Sequence, residues 1–179
     1  MNRVFIATSL DGYIATEDHG LDWLDQLPNP DDDDYGFDAF MDATDALLMG
    51  RRTFEVIKGF RPWPYNRPVF VASASLTLAD LPDDLAGSVH VVTGSPAELV
   101  AELHRMGHET LYVDGGSLIT SFLEAGLIDE MTISRLPVVL GSGIPLFGPV
   151  RASTWWDHIE TTAFANGIVA STYRRQPLS

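Results

Sequence analysis

The sequence predicts an α/β fold in which a mostly parallel central sheet carries an antiparallel hairpin at its C-terminal edge. Three observations predict it. Short, continuous apolar runs recur along the chain, as strands buried on both faces require, and segments with apolar residues at helical spacing lie between them. The last two extended runs meet across Ala165-Asn166-Gly167, and Asn-Gly in that setting is the strongest short hairpin signal.

The elements follow in order. Val4–Thr8 reads as a buried strand; Ser9-Leu10-Asp11-Gly12 turns the chain, and Tyr13-Ile14-Ala15 resumes it. Thr16 to Tyr35 is acidic and interrupted by Pro28 and Pro30, so it reads as a long loop, and such loops in compact domains are usually functional or mobile. Its run Asp31–Asp34 reads as a solvated tip, because consecutive side chains do not converge on a metal. Phe37, Phe40, Met41 and Thr44 have helical spacing, and Ala46–Met49 is the next buried strand. Pro62-Trp63-Pro64 marks a loop, Pro68–Ala72 a strand ending at Ser73-Ala74-Ser75, and Val89–Val92 another ending at Thr93-Gly94. Ser95, Pro96 and Glu98 are a cap, a first-turn proline and a nearby acid, so a helix runs from there to Met106. His104 and His108 flank its end, where exposed histidines are favoured, and no further ligand is near enough in sequence to make them a metal pair.

Leu111–Ile119 (LYVDGGSLI) organises the chain: a buried strand meets Asp114 and Gly115-Gly116, and Ser117 opens the helical segment Leu118–Ala125. Glycine lets a backbone or ligand come close, and the free N–H groups of a helix start favour negative charge. A tight strand-to-helix turn would need the same glycines. Glu130–Val139 alternates into a longer strand, and Gly141–Phe147 breaks regular structure. Trp155–Phe164 and Ile168–Arg174 form the hairpin, whose Trp155, Trp156, Phe164 and Tyr173 read first as ordinary core.

Gly50-Arg51-Arg52-Thr53 is the second informative stretch. Arginines at a helix start oppose its dipole, so a bound anion explains them better than a structural role, and guanidinium grips phosphate through paired hydrogen bonds. Phosphate-type strand ends recur at Gly50–Thr53, Ser73–Ser75, Thr93–Gly94 and Gly115–Ser117. In an open α/β sheet one extended ligand with several phosphates, such as a dinucleotide, would touch all four. No G-x-G-x-x-G follows the first strand, and there is no Walker loop.

Composition narrows the function classes. The 179 residues suffice for one domain, spanning 1–179. Eleven basic against twenty-five acidic residues give a net charge of −14, which argues against nucleic acid or an anionic membrane as partner. The lack of cysteine excludes disulfides, thiolate catalysis and Cys-ligated metals, and no metal site is expected. Without a signal-peptide pattern or a spanning apolar run, the expected location is the cytoplasm.

Ser9-Leu10-Asp11-Gly12 with Ile14-Ala15, Gly50–Glu55, Gly115-Gly116 and Gly141–Phe147, in this order, resemble the dihydrofolate reductase superfamily. Within it they are most similar to the reductase domain of the bifunctional riboflavin-biosynthesis protein RibD. The resemblance implies a three-layer fold, NADPH as hydride donor, and a pyrimidine- or pterin-type heterocycle as substrate, the 5-amino-6-(5-phosphoribosylamino)uracil type before folate. By position it implies Gly50, Arg51, Arg52 and Thr53 on the cofactor phosphates, Ser73 on the adenosine side, and Gly115, Gly116 and Ser117 by the pyrophosphate and nicotinamide. Thr93 and Gly94 complete the candidate cofactor set. Ala7, Trp23 and Phe40 are implied against substrate, with Asp114 and Asp11 as candidate catalytic residues. Asp114 could equally cap its turn. Pairing into a homodimer is implied too. A rival reading is a nucleotide-binding or assembly module that keeps the fold without turnover, motivated by Phe5 where RibD reductases usually carry lysine; steady NADPH oxidation would dispose of it.

Overall fold

The computed structural model describes residues 1–177; of the domain expected over 1–179, Leu178 and Ser179 lie outside the described residues. In chain order the elements are β1 (Asn2–Thr8), β2 (Tyr13–Ala15), α1 (Phe37–Asp42), β3 (Ala46–Gly50), α2 (Arg51–Ile57), β4 (Val69–Ala72) and β5 (Val89–Val92). There follow α3 (Pro96–Arg105), β6 (Leu111–Asp114), α4 (Gly116–Glu124), β7 (Glu130–Arg135), β8 (Ile144–Pro145), β9 (Trp156–Ala163) and β10 (Val169–Arg175). Eight strands make one sheet in the order β5-β4-β3-β6-β1-β7-β10-β9. The first five pairings are parallel and the last two antiparallel.

Period-two alternation splits the core into two layers. Ala46 and Leu48 of β3, Phe70 of β4, and Leu111 and Val113 of β6 face α3 and α4, packing on Leu99, Leu103, Ile119 and Phe122. Their alternates Leu47, Met49, Val69, Val71 and Tyr112 pack with Phe40 and Met41 of α1 and Phe54 and Ile57 of α2. Both faces of the central strands are covered, so their sequences read as continuous apolar runs. The sheet and its two helical layers make the expected three-layer, dihydrofolate reductase-like arrangement.

α3 starts as its sequence requires: the Ser95 hydroxyl accepts the Glu98 N–H, and the Glu98 carboxylate accepts the Ser95 N–H at 2.8 Å. The hairpin is present, with β9 antiparallel to β10. Three details differ from the expectations. The strand from Glu130 stops at Arg135, since Pro137 has no N–H to continue a ladder. Gly141–Phe147 is less irregular than expected, because Ile144–Pro145 pairs with β2 as a second, two-stranded sheet. Trp155 is not core: it is 76% exposed, immediately before an outer strand whose side chains are mostly exposed.

Candidate active site

The C-terminal ends of β1, β3, β4 and β6 open into a cavity of about 670 Å³. Ile6 and Ala7 come from β1, Gly50 from β3, Ala72 from β4 and Asp114 from β6, so strand polarity alone gathers them at one edge. Ile14, Ala15 and Ile144 line it from the small sheet.

Gly50 ends its strand in extended backbone (ψ 159°) and caps α2 without a side chain. Arg51, Arg52 and Thr53, the first turn of that helix, line the cavity, and the turn contains no acid. Arg51 donates to Ser75 Oγ at 2.6 Å, and its Nε lies 3.6 Å from Glu55. Arg52 forms no salt bridge among the described residues.

The glycine pair also lines the cavity, and its reason is packing within the chain. Gly115 has φ +97°, and a β-carbon on it would collide with Thr53 Oγ1. One on Gly116 would lie 2.8 Å from the Pro145 carbonyl and 3.1 Å from Ile14. The glycines thus bring β6, α2 and the small sheet together, and Ser117 follows on the cavity wall.

The other two strand ends differ. Ala72 reaches the cavity, but Ser73 is absent from its lining and accepts the N–H groups of Ser75 and Leu76 at 3.2 and 3.0 Å. Thr93 and Gly94 are exposed and outside the lining. β5 is the sheet's edge, two strands beyond β3 and so about 10 Å from it, and its end stands beside the cavity wall that Ala72 of β4 provides.

Asp114 is the cavity's one carboxyl. It accepts the Gly115 N–H at 2.8 Å, yet burial pushes its pKa up from 3.8 to about 6. Tyr65 and Tyr112 line the same space, and burial together with the Asp114 charge holds both phenols above their usual range. Tyr112 donates to the Phe5 carbonyl at 2.8 Å.

Of the expected substrate contacts, Ala7 lines the cavity. Trp23 is buried with Leu136 and Ile168, and Phe40 is buried against Phe5 and Tyr112; neither reaches the lining. Asp11 lies outside it too. Its carboxylate accepts the Ser9 hydroxyl at 2.6 Å and the N–H groups of Leu140 and Gly141 at 3.1 and 2.8 Å. Those bonds, the Ser9 hydroxyl first, hold its pKa below the usual carboxylate value. Among the described residues no three His, Cys, Asp or Glu side chains form a metal-binding group.

A second cavity of about 490 Å³ adjoins the first and shares Phe5, Ala7 and Leu24 with it. Leu27, Pro28 and Tyr35 of the acidic segment line it together with Ser134 of β7, Leu136 just beyond that strand and Ile168 just before β10. Ser134 is buried, and its hydroxyl has no hydrogen-bond partner among the described residues. Sequence reading missed Ser134, Tyr65 and His19, which also lines the first cavity. The alternation in β1 offered one available signal: Phe5 and Ala7 share a face, and both line both cavities.

Comparison with known proteins fits this architecture. A solved protein from Shewanella sp. PV-4, whose name refers to riboflavin biosynthesis, superposes with a TM-score of 0.93 at 43% identity, covering 98% of this chain and 99% of its own. The Thermotoga maritima diaminohydroxyphosphoribosylaminopyrimidine deaminase/5-amino-6-(5-phosphoribosylamino)uracil reductase shares the fold at TM-score 0.76 and 14% identity, over 98% of this chain and 56% of its own. Enterococcus faecalis dihydrofolate reductase, solved with NADP(H), shares it at TM-score 0.64 and 23% identity, over 99% and 97%. The family model for the RibD C-terminal domain matches residues 3–170, and the chain belongs to that family.

Proposed function

We propose that this protein is an NADPH-dependent reductase that delivers a hydride to a pyrimidine- or pterin-type heterocycle, of the 5-amino-6-(5-phosphoribosylamino)uracil reductase type rather than a dihydrofolate reductase. One observation carries the reading: a single cavity joins the doubly basic start of α2 to the half-buried carboxyl of Asp114. Its volume of about 670 Å³ suits small-molecule ligands.

The residues present fit a phosphate-bearing dinucleotide. Among the described residues Arg52 has no salt-bridge partner, Arg51 is held by the Ser75 hydroxyl and more distantly by Glu55, and space beside the Gly50 α-carbon is open. Ser117 and Ser121 add hydroxyls to the lining. NADPH, when bound, supplies the hydride. Arg51 and Arg52 would hold its phosphates, and the apolar walls from Ile6, Ala7 and Ile14 keep water from the reacting face. Asp114, with a pKa near 6, holds a proton in about a tenth of molecules at pH 7, which suits a proton donor or relay.

Parallel titration with NADPH and NADH, read by tryptophan quenching and melting temperature, tests the proposal. Tight NADPH binding with weak NADH binding is expected; failure to bind either removes the reductase reading. We also infer pairing into a homodimer, supported by exposed Ile159 on the edge strand and exposed Trp155 just before it. Light scattering at micromolar concentration should return twice the 19.6 kDa chain mass.

A further inference from the structure

The acidic segment between β2 and α1 covers the second cavity, and a part of the chain more than 130 residues away in sequence holds it there. At the tip of the C-terminal hairpin, Asn166 Nδ2 donates to the Tyr35 hydroxyl at 2.7 Å and to the Pro28 carbonyl at 3.1 Å. Both partners line the cavity. Beside them the ring of Phe164 meets that of Tyr35 edge-on, with centroids 5.0 Å apart. Tyr35 has a left-handed backbone, φ 55°, a conformation that costs free energy for a side chain of this size and has to be held by its surroundings.

The hairpin does not need asparagine at 166 for its own shape. Gly167 takes the left-handed position at φ 95°, and the turn closes through Gly167 N–H to the Phe164 carbonyl and Phe164 N–H to the Ile168 carbonyl. Asn166 is not left-handed, and its side chain adds within the turn only a 3.3 Å bond from Ile168 N–H. Its amide is therefore free to reach across to the segment. Beneath the latch lies the unpartnered Ser134 hydroxyl, the kind of buried group that a ligand's polar edge would satisfy.

We propose that Asn166 is a positioning residue: from the hairpin tip it latches residues 24–35 over the second cavity and sets how tightly the part of the substrate lying there is held. The inference rests on the reductase reading for its kinetic readout alone. Asn166 touches no reacting group. Releasing it loosens the second cavity's cover while Arg51, Arg52 and Asp114, carried by α2 and β6, keep their places; of the latched residues, Leu24 alone also lines the first cavity.

The test uses Asn166→Ala and Tyr35→Phe, the second keeping the ring against Phe164 while removing the hydroxyl. In Asn166→Ala, backbone hydrogen exchange over residues 21–36 should quicken about tenfold while residues 46–57 stay unchanged; Tyr35→Phe should move the same way by less. In turnover the heterocycle KM should rise about tenfold, with kcat and NADPH affinity within about twofold of the parent. Unchanged exchange over 21–36 in both variants overturns the latch, as does a fall in kcat at constant KM. Exchange needs no substrate, so a parent protein without turnover removes the reductase reading while the latch is still decided by exchange.

Discussion

Thr53 Oγ1 occupies the space that a side chain on Gly115 would need. The start of α2 and the end of β6 are 62 residues apart in sequence (115 minus 53) yet touch at this point, fixing the phosphate-type turn of one against the acidic turn of the other. Gly115→Ala combines that collision with a φ of +97°, so it should cost about 2 to 4 kcal/mol and abolish cofactor binding. Adding Thr53→Ala relieves the collision but not the backbone, and should recover about 1 to 2 kcal/mol of that loss, a coupling that denaturant titration of the four-member cycle would measure.

Asp114 should make the protein less stable as pH rises through the weakly acidic range. Below pH 3.8 its carboxyl is protonated whether the chain is folded or not; between 3.8 and about 6 only the folded chain keeps the proton. Stability therefore falls across that window by about 3 kcal/mol. Asp114→Asn should remove this slope and be about 1 to 3 kcal/mol more stable at pH 7, while losing about 10²-fold or more in kcat. Melting curves from pH 3.5 to 7.5 for both proteins check the sign. A variant that keeps the slope would assign it elsewhere.

The two arginines should separate NADPH from NADH. Arg51→Ala and Arg52→Ala each remove a charged donor from the cavity wall, and each should weaken NADPH by about tenfold to a hundredfold and NADH by less, because NADH shares the pyrophosphate but lacks the 2′-phosphate. Calorimetric titration of both variants with both nucleotides is decisive. Unchanged NADPH affinity in Arg51→Ala would end the cofactor assignment.

Asp11 should act through architecture. Its carboxylate ties the β1–β2 turn to Leu140 and Gly141, and so steadies the small sheet that lines the cavity through Ile14, Ala15 and Ile144. Because its pKa is lowered, its contribution is present above the ordinary carboxylate value and is lost as pH falls through the lowered one. Asp11→Ala should lower the melting temperature at pH 7 and narrow its difference from the parent as the pH drops below 4. Equal melting temperatures at pH 7 would show that the three bonds contribute nothing.

Much of this fold was legible because it is written in local patterns. Ala46–Met49, Val69–Val71 and Leu111–Val113 are apolar at every position, which only strands covered on both faces require. Ser95, Pro96 and Glu98 announce α3 before any tertiary contact exists. Within the candidate site the same local logic found Gly50–Thr53 and Gly115–Ser117, where glycine and charge stand out from their surroundings. It did not separate Ser73, Thr93 and Gly94 from them, since hydroxyl and glycine at a strand end look alike whether they face a cavity or cap the next turn. Nor could it tell that Asp11 closes a loop, because Leu140 and Gly141 lie about 130 residues away.

The sequence by itself determined strand polarity, the parallel core, the hairpin and the basic start of α2, since each follows from side-chain period or backbone preference within a few residues. Strand order was decided by the tertiary structure. It set β3, β6 and β1 side by side and left β5 at the edge, which brought Arg52, Asp114 and Ala7 to one cavity and kept Thr93 out. It likewise buried Asp114 enough to raise its pKa and joined Asn166 to Tyr35 across 131 residues. Burial and long-range pairing are properties of the packed chain, where low dielectric and steric exclusion act between groups that no local pattern connects.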